Sequence, residues 1–180
     1  MLGGLSDRTL RYIADNTCPY TRLFEWGAGE STMAFAERCA FVASVEHALP
    51  YYENVKNRLE QERLKNCRLE FKPPVKKVDP DDFNYVSSDY HDHSFEDYVR
   101  AIEAYRDEDF HIIVVDGRCR VRCVEAASPK LAPGGLLVLD DAQRYMEMVR
   151  AVVGNWECDA WSSGPPRPVW TMVWRKPKSA

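Results

Sequence analysis

Glu25-Trp26-Gly27-Ala28-Gly29 sets a carboxylate just ahead of two residues that lack a Cβ, and Glu30-Ser31-Thr32 follows at the start of a helical pattern. Without side chains at Gly27 and Gly29, backbone can approach a ligand closely before the helix begins. Glu46 closes the next apolar run, where a carboxylate can accept hydrogen bonds from both hydroxyls of a ribose. A second constellation is Asp116-Gly117 and Asp140-Asp141, each placed directly after an apolar run. Three carboxylates at the ends of adjacent parallel strands converge near one edge, and hard oxygen ligands of this kind suit Mg²⁺ with waters completing the octahedron. Asp140 and Asp141 also have a structural reading, since an aspartate at a helix start caps free N–H groups.

Other groups carry less. His91 and His93, flanked by Asp89 and Asp92, are either ligands or a proton-transfer pair, or simply solvated loop histidines. His47 follows Glu46 and is expected to pack beside the ligand pocket. Arg118, Arg120 and Arg122 either hold an anionic group or form a charged helix face. The six cysteines are scattered through strand and helix patterns, which reads as buried free thiols; Cys119 and Cys123 share a helix face, but no second ligand pair completes a zinc site. Trp156, Trp161, Trp170 and Trp174 are expected in core and cross-strand packing.

These residues need elements to hold them. Apolar and polar runs alternate as strand, helix, strand, helix, which predicts a parallel sheet with helices on both faces. Ser6-Asp7 caps a helix over 8–16, and strands are expected over 21–26, 41–46, 67–71, 110–115 and 136–139. Helices are expected over 31–39, 49–64, 95–105, 118–130 and 142–153, the one over 118–130 ended by Pro133-Gly134-Gly135. Residues 72–94 show no period and read as a long loop, the place for a lid or substrate loop. The runs 156–162 and 169–175, joined through Gly164-Pro165-Pro166-Arg167-Pro168, leave no room for a helix and predict an antiparallel hairpin at the sheet edge. The expected fold is thus α/β: a Rossmann-like, mostly parallel seven-stranded sheet with a C-terminal antiparallel hairpin, one domain over 1–180.

On these motifs the sequence resembles the class I S-adenosylmethionine-dependent methyltransferases, over most of the chain from Thr21 to Trp174. The family's acidic residue and glycines match Glu25, Gly27 and Gly29, its acidic strand end matches Glu46, and its antiparallel seventh strand matches the terminal hairpin. The resemblance implies that Glu25 lies near the methionine end of the cofactor, that Gly27 and Gly29 line it, and that Glu46 holds the ribose with His47 alongside. Asp116 with Asp140-Asp141 also looks like the metal-dependent O-methyltransferases. Carried over, Asp116, Asp140 and Asp141 are ligands of Mg²⁺, with Asp116 and Asp140 catalytic on a small-molecule hydroxyl. The catechol type has a lysine base shortly after its first aspartate, whereas Asp116 is followed by Gly117, Arg118, Cys119 and Arg120.

A nicotinamide dehydrogenase fits less well, because its G-x-G-x-x-G fingerprint meets Thr32 at the third glycine position. A non-catalytic Rossmann-like subunit acting through a partner is the alternative from another class. The formal net charge of -4 argues against nucleic acid or an anionic membrane as the main partner. A hydrophobic share of 45% with 29% charged residues suits a packed core without disulfides or structural metal. The start lacks the charged and apolar regions of a signal peptide, and no stretch approaches the ~20 apolar residues of a membrane span, so a cytoplasmic enzyme is expected.

Overall fold

In the computed structural model, residues 4–77, 79, 81–164 and 168–178 are described. Residues 1–3 and Pro165-Pro166-Arg167, the centre of the expected hairpin turn, lie outside the described residues.

Ser6 caps α1 (Asp7–Asp15) by accepting from the Thr9 amide. The chain then runs through β1 (Arg22–Trp26), α2 (Glu30–Ala36), β2 (Phe41–Glu46), α3 (Leu49–Gln61) and β3 (Cys67–Phe71). A two-stranded antiparallel ribbon, β4 (Val75–Lys76) with β5 (His93–Ser94), closes the base of the long loop, so that segment carries a little more order than its sequence predicts. Next come α4 (Glu96–Arg100), a 3-10 turn over Ala101–Ala104, β6 (Phe110–Val115), α5 (Arg120–Lys130) and β7 (Leu131–Leu139). A second 3-10 turn over Ala142–Arg144 leads to α6 (Met146–Val153), and β8 (Glu157–Ser162) and β9 (Trp170–Arg175) finish the sheet.

The seven long strands lie in the order β3-β2-β1-β6-β7-β9-β8. All pairings are parallel except those of β9, which runs antiparallel to both β7 and β8. The expected seven-stranded sheet with its C-terminal hairpin is thus observed. One strand begins well before its expected start. The strand foreseen over 136–139 starts at Leu131, because Pro133-Gly134-Gly135 forms an irregularity within β7 instead of a loop before it. A Cβ on Gly135 would lie 2.8 Å from the Ala132 carbonyl, which explains why this kink needs glycine.

Alternation along the strands sends side chains to two cores. Phe24, Trp26, Val45, Ile113, Val115, Leu137 and Leu139 face α4, α5 and α6, whereas Leu23, Val42, Ile112, Val114, Leu136 and Val138 face α1, α2 and α3. Strands β1, β6 and β7 are therefore buried on both sides, which is why their sequences read as nearly unbroken apolar runs. Trp161 and Trp174 are buried, but Trp170 is 41% exposed, against the expectation of packing. Among the cysteines only Cys39 and Cys123 are buried; Cys18 and Cys158 are exposed, so the expectation of buried thiols holds for part of the set.

Candidate functional site

Strand order reverses direction between β1 and β6, the place where an open α/β sheet forms a crevice beyond its carboxyl ends. Three residues extend the ladder there. Gly27 N–H donates to Val45 O at 2.9 Å, Asp116 N–H to Trp26 O at 3.0 Å, and Asp140 N–H to Val115 O at 3.1 Å. The turns after β1, β6 and β7 are thus fixed by backbone, and Glu46 ends β2 beside them.

Gly27 has φ +98°, and a Cβ there would lie 2.7 Å from the Asp116 carbonyl oxygen. Gly29 differs, since a Cβ on it would meet nothing within 4 Å: its bare backbone faces open space. The glycine turn therefore combines one glycine demanded by packing with one that leaves room beside α2.

Glu25 is fully buried. Its Oε2 accepts from Thr32 Oγ1 at 2.6 Å and Ser44 Oγ at 2.7 Å, and its Oε1 accepts from Ser31 Oγ. Burial pushes its pKa up to about 7, against the pull of the three hydroxyls. The carboxylate foreseen near a ligand instead ties α2 to β1 and β2, and it shapes the glycine turn from behind. Thr32 Oγ1 also accepts from Gly29 N–H at 3.0 Å.

Glu46 Oε1 accepts from Ala48 N–H at 2.7 Å and lies 2.9 Å from His47 Nδ1. The His47 ring sits among Tyr90, Phe95 and Tyr98, with centroids 5.6–6.1 Å away. Tyr90 belongs to the long loop, so that loop reaches the site. It is also held by Arg118 on Asp89 and by Arg122 Nη2 on Asn84 Oδ1 at 3.0 Å. His93 is engaged with Asp92, Nδ1 to Oδ1 at 2.7 Å, and its ring meets that of Tyr90 edge-on at 6.3 Å.

Asp116 and Asp140 stand side by side at the ends of the paired strands β6 and β7. Arg120 spans them: Nη2 lies 3.2 Å from Asp116 Oδ1, Nη1 3.9 Å from Asp140 Oδ2, and Nη1 also bonds the Asp140 carbonyl. Arg120 Nε donates to Gly117 O at 3.0 Å. Burial, then the charge of Asp140, raises the pKa of Asp116 to about 8, and burial also raises that of Asp140. Two carboxylates this close cannot both ionise cheaply in a desolvated site, so near neutral pH the pair retains one proton.

The expected three-ligand metal set is not assembled. Asp141 takes a left-handed backbone, φ 52°, and its carboxylate binds Gln143 Nε2 at 2.5 Å and Arg144 Nη1 at 2.9 Å. Arg120 already supplies the cation between Asp116 and Asp140. Among the described residues no group of three His, Cys, Asp or Glu side chains is placed to hold a metal ion. The donors present do not fit Mg²⁺.

Thr171 was not singled out from the sequence. Its Oγ1 donates to Asp140 Oδ1 at 2.9 Å across the β7–β9 pairing. The available signal was register: Leu139 pairs with Met172, so the next step of an antiparallel ladder sets Asp140 opposite Thr171. Ser44, beside Glu25 in the β1–β2 register, was missed for the same reason. The concavity between α3 and β3, about 450 Å³ and lined by Tyr52, Lys56, Leu59, Arg63, Leu64 and Leu69 among others, lies at the opposite edge region and contains none of these residues.

No protein-family model and no curated protein matches the chain. Solved structures do. An rRNA methylase from Streptococcus thermophilus superposes with a TM-score of 0.68 at 11% identity, over 98% of this chain and 99% of that one. The chain has the class I methyltransferase fold. A SAM-dependent O-methyltransferase from Thermotoga maritima gives 0.68 at 10% identity, over 100% of this chain and 69% of that one. A precorrin-8w decarboxylase from Methanobacterium thermoautotrophicum gives 0.69 at 15%, over 96% and 91%. In the methyltransferase fold the glycine turn, Glu46 and the Asp116–Asp140 pair all stand at the carboxyl ends of the strands. Among the described residues no helix is long and apolar enough to cross a membrane.

Proposed function

We propose that this chain is an S-adenosylmethionine-dependent methyltransferase acting on a small-molecule hydroxyl, without a divalent metal. The observation that carries the reading is the shared position of four features at the strand switch point: the open backbone at Gly29, the packed Gly27, the carboxylate of Glu46, and the proton-sharing pair Asp116–Asp140. Bound there, S-adenosylmethionine would supply a sulfonium methyl for the acceptor oxygen, its sulfur leaving as a neutral thioether. Gly27-Ala28-Gly29 lines the cofactor and Glu46 accepts from the ribose, with His47 closing one side. Asp140, as the ionised member of the pair, takes the acceptor's proton. Asp116 holds the pair's own proton, and Arg120 offsets the remaining negative charge. Such chemistry asks mainly for alignment and exclusion of water, which suits a site with few reactive groups. Tyr90 and the long loop, latched through Arg118 and Arg122, supply the cover.

A net charge of -4 favours a small acceptor over a polyanion. Calorimetric titration with S-adenosylmethionine and with its demethylated product, each with and without Mg²⁺, tests the cofactor and the metal together. Binding insensitive to Mg²⁺ supports the reading; no binding of either compound overturns it. A methyl-transfer screen of hydroxylated small molecules against ribosomal RNA then tests the acceptor class.

A further inference from the structure

Asp140 is the end of a buried line of hydrogen bonds that starts on the edge strand β8 and runs along the face of the sheet covered by α1. Trp161 Nε1 donates to Thr9 Oγ1 at 3.0 Å, Thr9 Oγ1 donates to Thr171 Oγ1 at 3.1 Å, and Thr171 Oγ1 donates to Asp140 Oδ1 at 2.9 Å. Thr9 and Thr171 are 0% and 2% exposed. Ser6 Oγ, the cap of α1, lies 2.9 Å from Thr9 Oγ1 and accepts from Thr9 N–H at 3.2 Å. The line thus joins α1, β8, β9 and the end of β7, elements that sequence separation alone keeps far apart.

We propose that Thr171 and Thr9 are positioning residues that designate Asp140, rather than Asp116, as the base of the carboxylate pair. Indole N–H can only donate, and a threonine hydroxyl has one proton. Thr9 Oγ1 accepts from Trp161 and gives its proton to Thr171, and Thr171 in turn gives its proton to Asp140. Asp140 Oδ1 is then an obligatory acceptor. The charged groups around the pair leave that choice to the hydroxyl line: Arg120 spans both carboxylates, 3.2 Å from Asp116 and 3.9 Å from Asp140, and Asp141 is neutralised by Arg144, while Asp116 lacks a hydroxyl partner and also feels Glu25. Helix α1 thereby becomes part of the acceptor site although none of its residues stands at the strand ends. The inference rests on Asp140 as the base of methyl transfer, but its test needs neither cofactor nor acceptor, so the two can fail separately.

The experiment is carbon NMR of the full chain labelled at aspartate Cγ, at pH 7, with Asp116→Asn and Asp140→Asn used to assign the two signals. The wild type is expected to show Asp140 at the carboxylate position and Asp116 at the acid position. Thr171→Val should move the Asp140 signal toward the acid position, Thr9→Val should move it in the same direction by less, and Thr171→Ser should restore it. If Thr171→Val does not fold, the wild-type spectrum and Thr9→Val decide. A wild-type acid signal on Asp140 means that the line is polarised the other way, toward Ser6, and overturns the proposal. An unmoved Asp140 signal in a folded Thr171→Val or Thr9→Val protein does the same.

Discussion

The carbonyl oxygen of Asp116 would stand 2.7 Å from a Cβ on Gly27, so the turn after β1 and the end of β6 are fitted together at the level of the backbone. A side chain at Gly27 has to displace main chain on the neighbouring strand, and φ +98° is a conformation that L residues rarely adopt. Gly27→Ala should cost about 1–3 kcal/mol, and at about 2–4 °C of Tm per kcal/mol for a chain of this size the loss is visible in a thermal melt. Gly29→Ala should leave the melt nearly unchanged, because its backbone is extended and nothing lies within 4 Å of the added carbon. It should weaken S-adenosylmethionine binding all the same. Wild-type affinity in Gly29→Ala would remove the cofactor from this turn.

Glu46→Gln tests the ribose contact. The amide keeps an oxygen for the Ala48 N–H, so the start of α3 should survive, while a charge-assisted pair of hydrogen bonds to the cofactor is weakened. Calorimetry should show affinity lower by about 1.5–3 kcal/mol. An unchanged dissociation constant would place the ribose elsewhere.

Stability should fall as pH rises from about 5 to 8. Glu25 and Asp116 hold their protons in the folded chain up to about 7 and about 8, whereas the same groups ionise near 4.5 and 3.8 when unfolded. Across that interval the folded state binds more protons than the unfolded state, so each step up in pH favours unfolding. The contribution is fully present below the unfolded values and is lost as pH passes the folded ones. Glu25→Gln, which cannot ionise, should flatten the slope of Tm against pH; an equally steep slope in that variant would contradict the buried, protonated carboxyl.

Asp140→Asn should abolish methyl transfer with the cofactor affinity held, because the group acts on the acceptor. Wild-type turnover should not respond to EDTA. Inhibition by EDTA that added Mg²⁺ reverses would restore a metal role which Arg120, placed between the two carboxylates, argues against.

The long loop should be cut by protease more slowly when S-adenosylmethionine is bound, and Arg118→Ala, which removes the Asp89 pair, should make the free protein easier to cut. Equal cutting in both states would leave residues 72–94 as an ordinary surface segment.

Much of this molecule is local, and local features are written in the sequence. Double burial makes β1, β6 and β7 apolar throughout, the turn residues mark their ends, and the absence of a helix between 156–162 and 169–175 forces a hairpin. Those features alone place Gly27, Glu46, Asp116 and Asp140 at strand ends. Contacts between residues far apart in the chain obey no such pattern. Only the packed sheet turned Glu25 inward onto Ser31, Thr32 and Ser44, because that depends on how α2 lies across β1 and β2. The left-handed turn at Asp141 sent its carboxylate to Arg144 while Arg120, at the start of α5, filled the space between the other two aspartates. Three acids at neighbouring strand ends promise a metal, but where their side chains go depends on the local backbone and on the nearest guanidinium, and both belong to the tertiary structure. Thr171 reached Asp140 for a related reason: hydroxyls lack a sequence signature, and their role appears only when strand register brings a donor opposite an acceptor.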